Sequence, residues 1–314
     1  MAVPHSPTVP LLCVSRAGVQ DNFHRGAAVA VDDEGKVLLA VGDPSCRGYI
    51  RSAAKPIQAI PVLACGAAAA FGLDEADIAI VCGSHRGGDE QVRQVRAVLA
   101  KAGVAEAHLA AGSGIRDNCS GKHSGMLSAC KHLGEELAGY TCLSHPHQQR
   151  ILKTLANVCG LPVDDIHVGV DGCGAPIHYF PIRHMALGYA RLSRPEMHFT
   201  PAIATAVRRI IPAMAAHPVG HTGEPAYAEA LGEARFLTKA GGSGVYCAGV
   251  VDRGIGFAMK VEDGSPVPLK VVFTEVMRRL GVLSEQEAAL FRERFCPTVV
   301  NRRGATVGKT DLLF

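Results

Sequence analysis

Ala27-Ala28-Val29-Ala30-Val31-Asp32-Asp33-Glu34-Gly35 is a run of small and β-branched apolar residues that ends in an acidic turn, and Val37 to Val41 takes the apolar run up again. Apolar runs on either side of a short polar connection read as a β-hairpin. Arg51-Ser52-Ala53-Ala54-Lys55-Pro56 follows and reads as the entrance of a helix beginning near Ser52, with Pro56 tolerated because it falls in the first turn. Further along, strands and helices continue to alternate. Ile78 to Cys82 is predicted as a buried strand that leaves Ser84 on a strand-end loop, and Asp89 to Lys101 as an amphipathic helix. Met126 to Leu133 and Pro146 to Val158 read as helices, Ile166 to Val170 as a strand, and Asp171 to Pro176 as a tight loop leading to another helix. In the last third, helices are expected over Ala202 to Ala215 and Lys270 to Leu280. Between them, Val245 to Val251 and Ile255 to Val261 form an antiparallel hairpin through Asp252-Arg253-Gly254. The class is mixed α/β. No Pro/Gly/Ser-rich linker interrupts the chain, so residues 1–314 are read as a single domain.

Composition narrows the chemistry. A chain of 314 residues with 48% hydrophobic and 19% charged residues can bury a large core. Its formal charge of +3 is small, and cations and acids are interspersed, which argues against a nucleic-acid partner. The apolar stretch from Ala59 to Leu73 is broken by Pro61, Gly66 and Gly72 and is too short to span a bilayer. Met1 to Pro10, with Pro4, Pro7 and Pro10 and no basic leader, reads as a short arm rather than a signal peptide, and a cytoplasmic location is expected. The eleven cysteines contain no CxxC pair and read as reduced thiols. Cys65, Cys130 and Cys159 are expected to pack as small buried hydrophobes.

Ser52 and Lys55 stand three residues apart, a spacing that puts hydroxyl and amine on one helix face, where a neutral lysine can take the serine proton. That chemistry needs burial or a nearby cation to lower the lysine pKa. The same residues also read as an N-cap followed by a solvated lysine. Lys260 lies near the end of its strand in an apolar run and needs a partner or a route to solvent; Ser84 is one candidate partner, and an outward edge position is an equal reading. From Gly112 to Gly125, small, polar and titratable residues collect ahead of a helix. The Walker spacing is not met there, because His123 follows Lys122.

Ser15-Arg16 with Gly18, Arg51-Ser52-Ala53-Ala54-Lys55-Pro56, Cys82-Gly83-Ser84-His85, Asp117-Asn118-Cys119-Ser120-Gly121-Lys122-His123 and Asp171-Gly172-Cys173-Gly174-Ala175-Pro176 together resemble the asparaginase II family, the class 3 or rhizobial-type L-asparaginases. The resemblance runs over most of the chain. It implies an α+β fold with an antiparallel-rich central sheet flanked by helices, similar to serine β-lactamases and glutaminases, and hydrolysis of L-asparagine to aspartate and ammonia. It further implies serine–lysine pairs at Ser52 with Lys55 and Ser84 with Lys260. A zinc ion is implied on Cys119, Lys122 and Cys173, with Asp171 holding a metal-bound water, and so is a homodimer. The α-carboxylate and α-ammonium of asparagine need a cation and acceptors, for which Arg51, Asn118 and His123 are the candidates; an ordinary structural role is an equal reading of Arg51 and His123.

The chain departs from the family in one loop. Where the family usually reads Lys-Gly-Gly-Ala-Glu-Gly-Val, this sequence has Lys239-Ala240-Gly241-Gly242-Ser243-Gly244-Val245, so a serine stands in place of an acid. This leaves open a related amidohydrolase of shifted substrate preference, or a zinc or amino-acid sensor without turnover. A penicillin-interactive relative is disfavoured, since Lys239 to Gly244 lacks the Lys-Thr-Gly strand.

Overall fold

The computed structural model describes residues 6–218, 235–296 and 298–314, so the first five residues of the expected N-terminal arm lie outside it. The strands are β1 (Val9–Arg16), β2 (Val19–Asp32), β3 (Val37–Val41), β4 (Arg47–Tyr49), β5 (His167–Val170), β6 (Pro176–Pro181), β7 (Phe236–Gly241), β8 (Val245–Val250), β9 (Ile255–Val261), β10 (Val299–Val300) and β11 (Thr306–Leu312). The principal helices are α1 (Lys55–Ala64), α2 (Glu75–Val81), α3 (Asp89–Lys101), α4 (Ser120–His132), α5 (Pro146–Cys159), α6 (Ile182–Ser193), α7 (Pro201–Ala216), α8 (Val267–Arg279) and α9 (Glu285–Phe295).

One antiparallel sheet runs in the order β10-β11-β1-β2-β9-β8-β7, with β3 added to β2, and a small sheet runs β4-β6-β5. The large sheet is covered on both faces. Ala27, Val29 and Val31 point into the core shared with α1, α5, α6 and α7, while Ala28 and Ala30 point into a second core with Phe273 and Val276 of α8 and Phe291 of α9. Burial on both faces is the reason β2 reads as an unbroken apolar run rather than as an alternation. The close approach of α6 to the sheet depends on Gly256, where a Cβ would overlap the Ala186 carbonyl oxygen.

The hairpin β2–β3 forms as expected, with Val31 opposite Val37, and β8–β9 pair through the predicted turn. Three expectations are corrected. Pro10, assigned to the arm, lies in β1. Ile78 to Cys82 is not a strand: Glu75–Val81 is a helix, opened by a capping box in which Asp74 accepts from the Asp77 N–H and Asp77 accepts from the Asp74 N–H. A short apolar run cannot distinguish strand from buried helix by itself, and here the reciprocal cap decides. The loop after Val170 leads into strand β6, which pairs with β4 and β5, and only then into α6.

Candidate active site

A 3₁₀ turn, Arg51–Ala54, runs directly into α1, with Pro56 in the first turn of the α-helix. The turn is anchored by the Ile50 N–H donating to the His178 carbonyl at 3.0 Å and by the Tyr189 hydroxyl donating to the Ala53 carbonyl at 2.8 Å. Arg51 takes φ +53°, a left-handed conformation that a non-glycine residue adopts at a cost and that is found preferentially at functional sites. It turns the chain so that Ser52 and Lys55 both line one pocket, with Arg51, Gln58, Lys122, Asp171 and His178 around them.

Lys55 is fully buried. Its Nζ donates to the Gly83 carbonyl at 2.6 Å, to Ser84 Oγ at 2.9 Å and to the Asn118 carbonyl at 3.0 Å. Burial pushes its pKa down, and the charge of Lys122 pushes in the same direction against the opposing pull of Cys119. An ammonium has three donors and these partners take all three. Once the proton leaves, two N–H groups can stay on the carbonyls and the lone pair is left for the Ser84 hydroxyl. Ser84 is thus the hydrogen-bond partner of Lys55, carried by the loop that follows α2.

That loop is tied to the 112–119 loop. His85 Nδ1 accepts from the Gly87 N–H at 3.1 Å, so its Nε2 carries the proton and donates to Ser120 Oγ at 2.8 Å; Ser120 in turn donates to the Ile115 carbonyl at 2.7 Å. Burial, helped by the Lys55 charge, holds the His85 pKa down to about 4, which keeps the ring neutral in this role. Gly121 and Gly125 let α4 lie against α2, because a Cβ at Gly121 would overlap the Ile80 carbonyl oxygen and one at Gly125 would press on the Val81 side chain. This crossing brings Cys119 and Lys122 beside Lys55.

The pairing of Ser84 with Lys260 is not made. The Lys260 ammonium donates to the Val261 carbonyl, its stem packs beside Gly48, and the titratable groups around it are Cys46, Asp263 and Glu262. A different lysine approaches Lys55. Lys239 on β7 is 2% exposed, donates to the Ala240 carbonyl at 2.8 Å, and is pushed down to about 7 by burial and by the charge of Lys55. The end of β7 lies against the 51–54 turn, where a Cβ at Gly241 would meet the Ile50 carbonyl oxygen and Arg51 Cβ. Lys239 opens the loop already singled out for Ser243, which takes φ +58° in the β7–β8 turn. That adjacency was the available signal.

Cys119 and Cys173 are buried side by side with Ala175. Lys122 Nζ donates to Cys173 Sγ at 3.3 Å. A hydrogen bond from the Cys119 thiol, with the charge of Lys122, pulls the Cys173 thiol well down against the effect of burial, toward the thiolate that metals bind. His123 is wholly buried; its Nδ1 pairs with the Tyr140 hydroxyl at 2.6 Å and its Nε2 has no hydrogen-bond partner among the described residues. Two sulfurs, an amine and an orphaned imidazole nitrogen make a donor set of the type that holds zinc. Of the three substrate-binding candidates, Arg51 lines the pocket, Asn118 is exposed and contributes its carbonyl to Lys55, and His123 lies with the cysteines. His178, missed in the sequence, is buried in the pocket wall with neither ring nitrogen hydrogen-bonded among the described residues, and burial holds its pKa down to about 4.

A second group, Cys130, Glu135 and His145, has ligand-type atoms within 4.8 Å of one another. Two of its three ligand groups are already engaged. Arg150 holds Glu135 through both oxygens at 2.7 and 2.5 Å, while His145 Nδ1 accepts from the His147 N–H and its Nε2 donates to the Glu136 carbonyl. The guanidinium supplies the charge that a cation would bring. The Arg150–Glu135 pair fastens the end of α4 to α5.

No curated protein matches the chain. Among solved structures it is similar to Mglu, at 14% identity with a TM-score of 0.49, covering 82% of this chain and 66% of that one. It is also similar to a probable glutaminase, ybaS, at 15% identity, TM-score 0.49, over 82% of this chain and 85% of that one. A β-lactamase from Mycobacterium bovis matches at 14% identity, TM-score 0.46, over 81% of this chain and 94% of that one. The chain spans about two thirds of the length of the Mglu chain. The sequence model of the L-asparaginase II family matches residues 12–312, which takes in every residue placed around the pocket. With that match, the protein belongs to the L-asparaginase II family of amidohydrolases.

Proposed function

We propose that the protein hydrolyses the side-chain amide of L-asparagine through an acyl-enzyme, with Ser52, Ser84 and Lys55 as the reacting groups and Lys239 as a second, electrostatic lysine. The observation that carries this reading is the buried Lys55 amine, hydrogen-bonded to Ser84 at 2.9 Å and lining the same pocket as Ser52. Ser52 Oγ attacks the amide carbon, and its proton passes to Lys55, directly or through the Ser84 hydroxyl. The new Oγ–C bond pushes charge onto the carbonyl oxygen, which calls for hydrogen-bond donors at the pocket wall. When the C–N bond breaks, Lys55 returns the proton and ammonia leaves. Water then attacks the ester with Lys55 again as base, releasing aspartate and restoring the serine.

Burial and the charge of Lys55 push Lys239 down to about 7, the second because two ammonium groups buried near each other disfavour joint protonation. Cys119, Lys122 and Cys173 would hold zinc, with Asp171 beside them; the ion would supply positive potential at the pocket wall and tune substrate affinity. Arg51 pairs with the α-carboxylate. The eleven free cysteines agree with a reducing compartment such as the cytoplasm. No helix among the described residues is long and apolar enough to cross a membrane. A homodimer is the expected assembly, readable by sedimentation.

The test is ammonia release from L-asparagine, with L-glutamine in parallel, by the wild type, Ser52→Ala and Ser84→Ala at pH 8 to 9. Release that disappears in Ser52→Ala, with an acyl adduct on Ser52 by mass spectrometry, supports the reading. Undiminished release in both variants removes it.

A further inference from the structure

The pocket that holds Ser52 and Lys55 leaves about 10 Å³ of water-accessible space, room for one water and not for an amino acid. Something must move to admit a substrate, and the walls differ in how readily they can. Lys55, Gln58, Lys122 and His178 are buried. Arg51 and Asp171, by contrast, are 35% and 15% exposed, and they are joined by a single ion pair at 3.2 Å. Arg51 comes from the strained turn before α1 and its guanidinium lies over Gly242 of the β7–β8 turn, where a Cβ would touch it; Asp171 comes from the β5–β6 loop. The ion pair therefore ties three segments together at the pocket.

We infer that the Arg51–Asp171 ion pair is the recognition element for an α-amino acid zwitterion, which opens the pocket by exchange: the ligand carboxylate takes Arg51, and the ligand ammonium takes Asp171. Each protein charge loses one opposite charge and gains another, so opening the pair costs little for a zwitterion. A ligand carrying only one of the two charges leaves the other protein charge without its partner. Ser243 brings no charge of its own, so Asp171 is the carboxylate on hand in the pocket lining for an ammonium. This inference rests on the amidohydrolase reading for its substrate class and adds the way the site discriminates.

The experiment compares three amides on the wild type, Asp171→Asn and Arg51→Met: L-asparagine, succinamic acid, which lacks the α-amine, and 3-aminopropanamide, which lacks the α-carboxylate. A crossover is expected. Asp171→Asn should lose about 10- to 150-fold in kcat/KM on L-asparagine and 3-aminopropanamide, mostly in KM, while succinamic acid changes little. Arg51→Met should lose a similar factor on L-asparagine and succinamic acid and spare 3-aminopropanamide. Equal losses on all three amides in either variant, or none, overturn the inference; a lost zinc ion would give the equal pattern, and metal content is read by mass spectrometry alongside. If the wild type releases ammonia from none of them, the hydrolase reading fails by itself. Calorimetric binding of L-aspartate against succinate then decides the inference. Tighter binding of L-aspartate that Asp171→Asn abolishes upholds it, and equal binding of the two, or none, overturns it.

Discussion

Replacing Lys55 with methionine keeps the apolar stem and removes the amine, and the structure sets the scale of both effects. The amine donates three hydrogen bonds, at 2.6, 2.9 and 3.0 Å. Bonds from a charged donor contribute about 1.5–3 kcal/mol each, so together they favour the folded state by roughly 4.5–9 kcal/mol. Burying an ammonium costs several kcal/mol in the opposite direction, the same burial that pushes the Lys55 pKa down. These terms largely cancel. What remains is that methionine leaves the buried Gly83 carbonyl unpaired, at about 1–3 kcal/mol, while the carbonyl of the exposed Asn118 can turn to water. A net destabilisation of about 1–3 kcal/mol is expected, which lowers Tm by several degrees in a chain of this size and leaves the protein folded. Activity should fall much further, by about 10²- to 10⁴-fold, the usual contribution of a positioned general base. The assay is ammonia release at pH 8.5 with melting curves on the same samples. A Lys55→Met protein that retains more than about a tenth of wild-type turnover refutes the assignment of Lys55 as base. One whose activity loss merely tracks unfolding refutes the energetic argument.

Lys239 makes a pH prediction. Its folded pKa of about 7 lies below the value of about 10.4 expected in the unfolded chain, so between these values the folded state holds fewer protons and stability rises with pH. Below about 7 both states are protonated and that gain is absent. Thiols pushed up to about 12, such as Cys82 and Cys159, work the other way only above the ordinary thiol range. Tm should therefore climb between pH 7 and 8.5 and flatten in Lys239→Met; an unchanged slope in the variant would discard this account. Cys173→Ser should strip bound zinc, measured by mass spectrometry against wild type saturated with zinc, and retention of a full equivalent would place the metal elsewhere. Gly121→Ala should cost about 1–3 kcal/mol by overpacking against the Ile80 carbonyl and should move the Ser84 loop. A variant with unchanged melting and turnover would contradict the helix contact. Ser243→Glu should alter KM for asparagine relative to other amides, and identical kinetics would make the departure neutral.

Several elements were legible because their signals are local. The Asp32–Gly35 turn lies between apolar runs, the bounds of α3 and α5 follow from amphipathic spacing and a proline start, and the short blocks around Ser52, Cys119 and Cys173 carry the family resemblance residue by residue. The Asp74–Asp77 cap of α2 was also present as a pattern, and an apolar run that suits a strand equally well obscured it. The fold class survived that error because it did not depend on this segment.

The two lysines show where local reading stops. Lys239 and Lys260 both stand in apolar strand sequence, and charge, composition and spacing do not separate them. Strand order and register do: β7 lies at one end of the large sheet, against the turn that carries Ser52, whereas Lys260 on β9 stands opposite Val245 and Ala27, with its stem beside Gly48. The partner of Lys55, the approach of α4 to α2 at Gly121, and the Arg51–Asp171 pair likewise join residues far apart in the chain. Residue type and near-neighbour spacing determine which chemical groups the chain owns and which short elements it forms, because those depend on backbone sterics and local periodicity. Which group faces which depends on how both faces of the sheet are buried, and that free energy belongs to the assembled core alone.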